Sequence, residues 1–529
     1  MIKEKFFGRE DYLELINKRV SGLKDHYRQN IALIGDETVG KTTLIFQLLS
    51  KFCDNQIITI YLEIRPVSIE YFAKRFIGVL LYNFLINSGE ALKEDLEFLL
   101  NKSQKYIPQT IEKAKIILKT NKRKKANIFT GLLSLCETLY QETGKFCVVI
   151  LDEFQNLESL GVKDLYREWS KLLLTQKNTM YILTSSLKFK AKSIFAKDLS
   201  LLFGNFEQIE VGPFDIKTSE KYLDSQLNNL KLKLGLKEFL VHFTGGYPLY
   251  LKIISEELSK SKEHNLSEML ENLLFYDSGI LNQRFSNYIK RFFDSPYSND
   301  YISILYLISS GRNKIRDISH ILKKQKKDLN ARINHLLELD TITRNGDFLK
   351  INDRVFSFWL RFVYQEKLQS LTFDASNQKI KFKDRIQTLI NEFYRASQKS
   401  LSERMTELLR LFENETVQLE NKRIRLNHFR EIKRLEFRGR NLKNGILGRS
   451  HDNLWIIAIT QGLLTEHDIL DFSKECRKYR QKPQRKIMVT LRDIETNTRL
   501  RALEEKVITW NIDDLNQMFD LFAKPRLVR

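Results

Sequence analysis

Asn30-Ile31-Ala32-Leu33-Ile34-Gly35-Asp36-Glu37-Thr38-Val39-Gly40-Lys41-Thr42-Thr43 is the stretch that decides the fold. An apolar run breaks into G-x-x-x-x-G-K-T and then into helix-forming residues, which is the strand, loop and helix of a P-loop nucleotide site. Gly35 and Gly40 let backbone N–H groups turn inward around phosphate oxygens, and the following helix adds its positive N-terminal end. The expected nucleotide contacts are Gly35, Thr38, Val39, Gly40, Lys41, Thr42 and Thr43. Lys41 reaches the β- and γ-phosphates and the Thr42 hydroxyl holds Mg²⁺. ATP with Mg²⁺ is the expected ligand.

Upstream, Phe6-Phe7-Gly8-Arg9-Glu10 precedes a periodic stretch, Leu13, Ile16 and Val20, that reads as a helix. A turn at Gly8 and Arg9 is placed to pack on the adenine. Downstream, Ile57 to Leu62 reads as a buried parallel strand, and helical material follows to Gln141, broken near Pro108 and at Lys122-Arg123-Lys124-Lys125. Phe146 to Leu151 is a further apolar strand, and it ends in Asp152-Glu153 about 110 residues after the P-loop. Such a strand end delivers Asp152 to the Mg²⁺ shell and Glu153 to a water near the γ-phosphate, where it serves as general base with Lys41 and Asp152 completing the catalytic set. Met180 to Ser186 ends in hydroxyls, with Ser185 either a polar sensor between the nucleotide-site strands or part of an ordinary strand-to-turn exit. A fifth strand, Phe206 to Val211, completes an α/β domain with a parallel sheet and its ligand at the strands' carboxyl ends.

Composition narrows the class. The 529 residues suffice for roughly three or four domains. No apolar run approaches the roughly 18 residues of a membrane span and no signal-like segment opens the chain, so a cytoplasmic protein without a membrane partner is expected. Cys53, Cys136, Cys147 and Cys476 are scattered, suggesting neither a disulfide frame nor a zinc site. The 87 Lys and Arg against 66 Asp and Glu give a formal net charge of +21. That excess favours a polyanionic partner, nucleic acid and in particular DNA first and an anionic membrane surface second, although a lysine-rich composition with solvated faces gives the same number.

The pattern divides the chain into an ATPase domain at 1–215, a helical lid at 216–295, a winged helix at 296–365 and a last α/β domain at 366–529. In the lid, Thr244-Gly245-Gly246-Tyr247-Pro248 makes a tight turn into a helix that starts at Pro248. Three short helices then precede a hairpin turning at Asn345-Gly346, a helix-turn-helix with a wing. Its third helix carries Lys326, Lys327, Asn330 and Arg332, suited to phosphates and a groove, though winged helices also contact proteins. Between Lys422 and Arg449 lie ten Lys or Arg against two glutamates. Arg434, Arg438 and Arg440, with Phe429 and Phe437 among them, form a second nucleic-acid expectation.

Taken together, Phe7-Gly8-Arg9-Glu10, the P-loop, Leu151-Asp152-Glu153, Thr184-Ser185-Ser186, Gly245-Gly246-Tyr247-Pro248 and Phe356 to Phe362 resemble the archaeal-type ATPases of the STAND group, relatives of the AAA+ origin-recognition ATPases. The resemblance implies nucleotide contacts at Gly8, Arg9 and Pro248 as well. Related ATPases place an arginine where this chain has Asn205, and its absence implies slow hydrolysis or an arginine supplied from elsewhere, which fits a switch better than a motor. The family often ends in a restriction-endonuclease-like domain of the PD-(D/E)XK kind, whose order of elements is similar after Lys381. Glu403 matches that family's helical acid. Ala458-Ile459-Thr460, however, stands where Glu-x-Lys is expected, and no aspartate precedes Gly448 in its strand. The implied domain is a nuclease fold that has lost cleavage, with Asp452 as an alternative metal ligand under a different alignment. Three functions follow: an ATP-dependent DNA-binding switch, an ATP-regulated nuclease, or a signalling scaffold that binds proteins, including copies of itself.

Overall fold

The computed structural model describes residues 6–52, 54–86, 93–121, 123–200, 206–228, 230, 234–260, 265–369, 375–419, 422–437, 442, 444–460, 462–479, 484–492 and 494–528. The chain forms two compact units. The first takes Met1–Tyr222 with two short returns, Tyr247–Leu249 and Glu338–Asp340; the second takes Leu223–Gly246, Tyr250–Leu337 and Thr341–Arg529.

Five parallel strands organise the first unit: β1 (Asn30–Ile34), β2 (Ile57–Glu63), β3 (Phe146–Asp152), β4 (Thr179–Ser185) and β5 (Phe206–Glu210), in the order β2-β3-β4-β1-β5. Strands β1, β3 and β4 are buried at every position. That is why they read as unbroken apolar runs rather than alternating ones. Register aligns Leu62 with Leu151, Leu151 with Leu183, and Ile34 with both Ser185 and Glu210. The polar ends of β1, β3 and β4 therefore meet at one edge of the sheet, the edge where open α/β sheets hold ligands. Helices Ile69–Ile86 and Lys125–Thr143 cover the sheet, with Phe76, Phe129, Leu132 and Trp169 among its fully buried side chains. Pro108 occupies the first turn of its helix, where its missing N–H costs nothing.

The second unit begins with helices Leu236–Thr244, Pro248–Lys260 (from Tyr250), Leu266–Leu274 and Ile280–Lys290. Helices Ser298–Ser309, Ile315–Leu322 and Lys326–Glu338 follow, then the antiparallel hairpin β6 (Ile342–Asn345) and β7 (Phe348–Ile351). A bridge from Lys314 to Phe348 adds a third short rung beside β7. After the helices Ala375–Gln398 and Leu401–Leu409 comes a second hairpin, β8 (Thr416–Leu419) and β9 (Lys422–Arg425). The closing sheet is β10 (Glu431–Glu436), β11 (Asn444–Arg449), β12 (Leu454–Thr460), β13 (Gln484–Thr490) and β14 (Val507–Trp510), paired in chain order. Its first three strands are antiparallel and its last three parallel. Trp455 and Trp510 lie at the centre of its core. No helix among the described residues is long and apolar enough to cross a membrane.

Candidate nucleotide site

The loop between β1 and the helix Lys41–Lys51 has the backbone that phosphate binding requires. Gly40 sits at φ +93° and Thr38 at φ +68°, turning successive N–H groups inward. Gly35 is needed for a different reason: a Cβ there meets the Val211 carbonyl oxygen at 2.0 Å. The backbone is pinned on both sides, by Gly35 N–H donating to Ser185 O and Val211 N–H to Ile34 O.

Lys41 is 5% exposed, and its ammonium donates to the carbonyls of Gly35 and Asp36, each at 2.9 Å. Burial pulls its pKa below the ordinary lysine value, opposed by Glu153, Asp152, Asp36 and Glu37. A phosphate would supply the anionic partner this half-satisfied cation lacks. Val39 is fully buried, while Thr42 is half-buried and Thr43 exposed.

Asp152 ends β3 and is held on three sides. Thr42 Oγ1 and Tyr61 OH each donate to its Oδ2 at 2.9 Å, and the Thr184 hydroxyl donates to Oδ1. Burial, then the charge of Asp152, raises the Tyr61 phenol, which stays protonated and donating. Thr42 and Asp152 thus present adjacent hard oxygen donors, a set that fits Mg²⁺.

Glu153 occupies the left-handed region, φ 58° and ψ 48°, an uncommon place for a residue with a side chain. Its Oε2 accepts from Ser186 Oγ at 2.7 Å, Ser186 N–H at 2.9 Å and Gln155 Nε2 at 2.6 Å, while its own N–H donates to Thr184 Oγ1 at 3.1 Å. Ser185, named from the sequence as sensor, points its hydroxyl at its own turn, exchanging hydrogen bonds with Leu187. Its neighbours Thr184 and Ser186 touch the two acids instead, because successive side chains in a strand face opposite ways.

Arg9 is 6% exposed and bridges the P-loop to the exit of β5, Nη2 donating to Val39 O at 2.7 Å and Gly212 O at 2.6 Å. Burial lowers its pKa, and its guanidinium lies 5.2 Å from the Phe214 ring. Gly8, at φ +68°, packs against Thr218 and Phe214. Asp36, inside the loop, is gripped by Lys188 Nζ at 2.9 Å and Tyr247 OH at 3.0 Å. Pro248 starts the helix immediately after that tyrosine. Tyr61, Thr184, Ser186, Lys188 and Tyr247 were not singled out as individual site residues from the sequence. The alternation rule applied to Thr184-Ser185-Ser186 was a usable signal for two of them. Asn205 lies outside the described residues, as do Cys53 and Lys122.

The residues expected to contact nucleic acid separate into three groups. Lys326 and Lys327 are exposed at the start of their helix. Arg332 is turned inward: its guanidinium lies 3.4 Å from the Tyr297 ring centre and 3.6 Å from Asp300. That corrects its assignment as a groove contact, since leaving would cost a cation–π contact and an ion pair. Arg434 is exposed on the edge strand β10, 3.4 Å from Glu403. Arg438 and Arg440 lie outside the described residues. Phe429 and Phe437 are core residues, packed on Trp455 and Phe472 respectively. The hairpin tip of β6 and β7 is also occupied. Asn345 Nδ2 donates to Gln418 O at 2.8 Å, Asp347 N–H to Thr416 O at 3.0 Å, and a Cβ on Gly346 would lie 1.9 Å from that same Thr416 oxygen.

Glu403 closes a capping box with Ser400 at the start of its helix. Asp452 is exposed at the turn between β11 and β12, beside His451. Among the described residues no three His, Cys, Asp or Glu side chains gather so as to hold a metal.

The family match agrees with the site. Residues 6–254 match the family described as an ATPase domain predominantly from Archaea. An uncharacterized ATP-binding protein of Methanocaldococcus jannaschii is 25% identical over 289 residues, 51% of this chain and 74% of that protein. Among solved structures, the Walker-type ATPase of Pyrococcus abyssi overlaps with a TM-score of 0.47 at 21% identity, covering 68% of this chain and 97% of that one. The Aeropyrum pernix ORC2 protein overlaps with a TM-score of 0.41 at 10% identity, covering 74% and 97%.

Proposed function

We propose that the protein is an ATP-dependent switch that binds DNA through the helix beginning at Lys326 and the basic surface of its last domain. One observation carries the switch reading. Asp36, inside the phosphate loop, is held at once by Lys188 and by Tyr247, the residue directly ahead of the helix Pro248–Lys260. A nucleotide that reorders the loop changes the grip on Tyr247, and binding one arrangement better than another is all a ligand needs to shift a population.

In this reading Lys41 and the loop N–H groups bind the β- and γ-phosphates. Thr42 and Asp152 hold Mg²⁺, which when bound neutralises charge on the phosphate oxygens. Glu153 takes a proton from water as the water oxygen bonds to the γ-phosphorus, and the bridging bond breaks to leave ADP with its electron pair. The hydrogen bonds from Ser186 and Gln155 occupy Glu153 Oε2 and must yield before that oxygen takes a proton from water, in keeping with slow turnover. The Tyr247→Phe variant tests the coupling. It should bind ATP as the parent does and lose the difference in DNA affinity between nucleotide states; an undiminished difference would refute the role of the contact.

We read the elements from Ser298 to Ile351 as a winged helix whose wing is engaged by β8, leaving its third helix as the free face. The domain after it reads as a restriction-endonuclease-like fold without cleavage. The positions for the missing carboxylates on β12 are Ala458, Ile459 and Thr460, all buried, and Glu403 is committed to its capping box. Plasmid nicking with Mg²⁺ or Mn²⁺ that disappears in Glu403→Ala would overturn this reading.

A further inference from the structure

Within the second unit, a cavity of about 200 Å³ opens where distant stretches of chain meet. Its wall includes His242, Lys350 at the end of β7, Arg354 and Arg361 from the helix that follows, and Asp520 and Lys524 near the C-terminal end. Asp520 is 2% exposed and receives Lys350 Nζ at 2.6 Å, Arg526 Nη2 at 2.6 Å and the Arg354 guanidinium. Burial alone would raise its pKa, but Arg526, Arg354 and Lys350 hold the carboxyl well below the usual range, so it is ionised.

His242 does not add a negative partner. Its Nδ1 lies 3.2 Å from Arg354 Nη2 and accepts the Arg526 N–H at 3.2 Å, which places the ring proton on the other nitrogen. Burial, then Arg354 and Arg526, pushes its pKa well down, and the ring is neutral. One carboxylate thus faces three cations, Lys350, Arg354 and Arg526. Arg361 and Lys524 extend the positive wall, with Glu392 the only other acid lining it among the described residues. Like charges gathered in a half-enclosed space are unfavourable unless an anion joins them. Guanidinium forks are suited to phosphate oxygens, which accept paired hydrogen bonds.

We propose that this cavity is a binding site for a small phosphate-bearing anion, recognised by Lys350, Arg354, Arg361 and Lys524. The volume accommodates orthophosphate or a compact phosphate monoester and excludes a nucleic-acid duplex. Since the site joins residues from helix Leu236–Thr244, the β7 region and the C-terminal end, occupancy tightens the second unit. The proposal does not rest on the reading of the nucleotide site.

The test uses the full chain with its P-loop saturated by Mg·ADP, so that added anion is not read there. Thermal unfolding is followed as orthophosphate or ribose 5-phosphate replaces chloride at constant ionic strength. The expected result is a saturable rise of a few degrees in the unfolding midpoint, absent in the Arg361→Gln/Lys524→Gln double variant. Neither substituted residue contacts Asp520, and without anion the variant should unfold cooperatively at or above the parent's midpoint because like charge has been removed. Phosphorus NMR linewidths of the same two anions provide a second readout, broadened by the parent and not by the variant. A response to phosphate alone identifies free phosphate, and a response to both admits a monoester. No response, or an equal one in parent and variant, overturns the proposal and leaves the cluster a structural staple.

Discussion

The Thr42 hydroxyl donates a hydrogen bond to the Asp152 carboxylate across 2.9 Å, joining the first turn of the P-loop helix to the end of β3. Tyr61 and Thr184 complete the hold on that carboxylate. Replacing Asp152 by Asn keeps the shape and removes the charge that attracts a divalent cation. The Asp152→Asn variant should therefore lose the Mg²⁺ dependence of ATP affinity, with metal affinity falling by about 10- to 100-fold or more. Isothermal titration with and without Mg²⁺ measures this; an unchanged metal dependence would place the ion elsewhere.

Glu153 is held in a strained backbone conformation with its carboxylate on Ser186 and Gln155. Glu153→Gln should leave ATP binding intact and reduce hydrolysis by about 10²–10⁴-fold, the usual worth of a positioned base. Steady-state phosphate release beside an ATP titration separates the two effects. Equal loss of binding and turnover would reassign the residue to a structural role.

Gly35 and Gly212 make a matched pair. A methyl on Gly35 runs into Val211 O, whereas one on Gly212 meets nothing within 4 Å. Gly35→Ala should destabilise the domain by about 1–3 kcal/mol through overpacking and weaken ATP binding at least about tenfold, while Gly212→Ala should do neither. Denaturant midpoints and ATP titrations of both variants check this contrast.

Asp353 caps the helix Arg354–Trp359 by accepting Phe356 N–H at 2.9 Å, and the Tyr250 hydroxyl also donates to it. Burial outweighs these bonds and pushes its pKa up to about 6. Between about pH 4 and pH 6 the folded chain therefore holds a proton that the unfolded chain has released, and this contribution to stability is lost as pH rises through the window. Asn keeps the cap without the charge. Asp353→Asn should gain about 1–3 kcal/mol relative to the parent at pH 7.5 over pH 4, read from urea unfolding at both values. Parallel pH profiles would show that the carboxyl does not titrate there.

The P-loop and the Asp152-Glu153 strand end were legible because their spacing is dictated by phosphate and metal chemistry, which leaves a linear trace. Parallel strands buried on both faces were legible for the same reason, as continuous apolar runs. Which of the three hydroxyl residues faces the acids was not legible, because a run of three hides the alternation that sets Thr184 and Ser186 against Asp152 and Glu153 and turns Ser185 to Leu187. Arg332, Phe429 and Phe437 were misread because basic and aromatic residues look alike in sequence whether they face solvent or a neighbour. Tyr297, Trp455 and Phe472, the partners that decide, lie up to 35 residues away. The wing's pairing with Thr416 and Gln418 had no sequence signal, being made by Asn345 and Asp347 to backbone groups of β8 some 70 residues away.

The exposed bases on β9 and β10 have an ordinary alternative role, since charge on edge strands discourages aggregation. A salt-dependent titration of DNA with the full chain, in ATP, in ADP and without nucleotide, decides between the readings most directly. The switch account predicts binding that weakens steeply with salt, differs between nucleotide states, and loses roughly one unit of salt slope for each of Lys326→Ala and Lys327→Ala. Binding that is absent at low salt, or the same in all three nucleotide states, would contradict it.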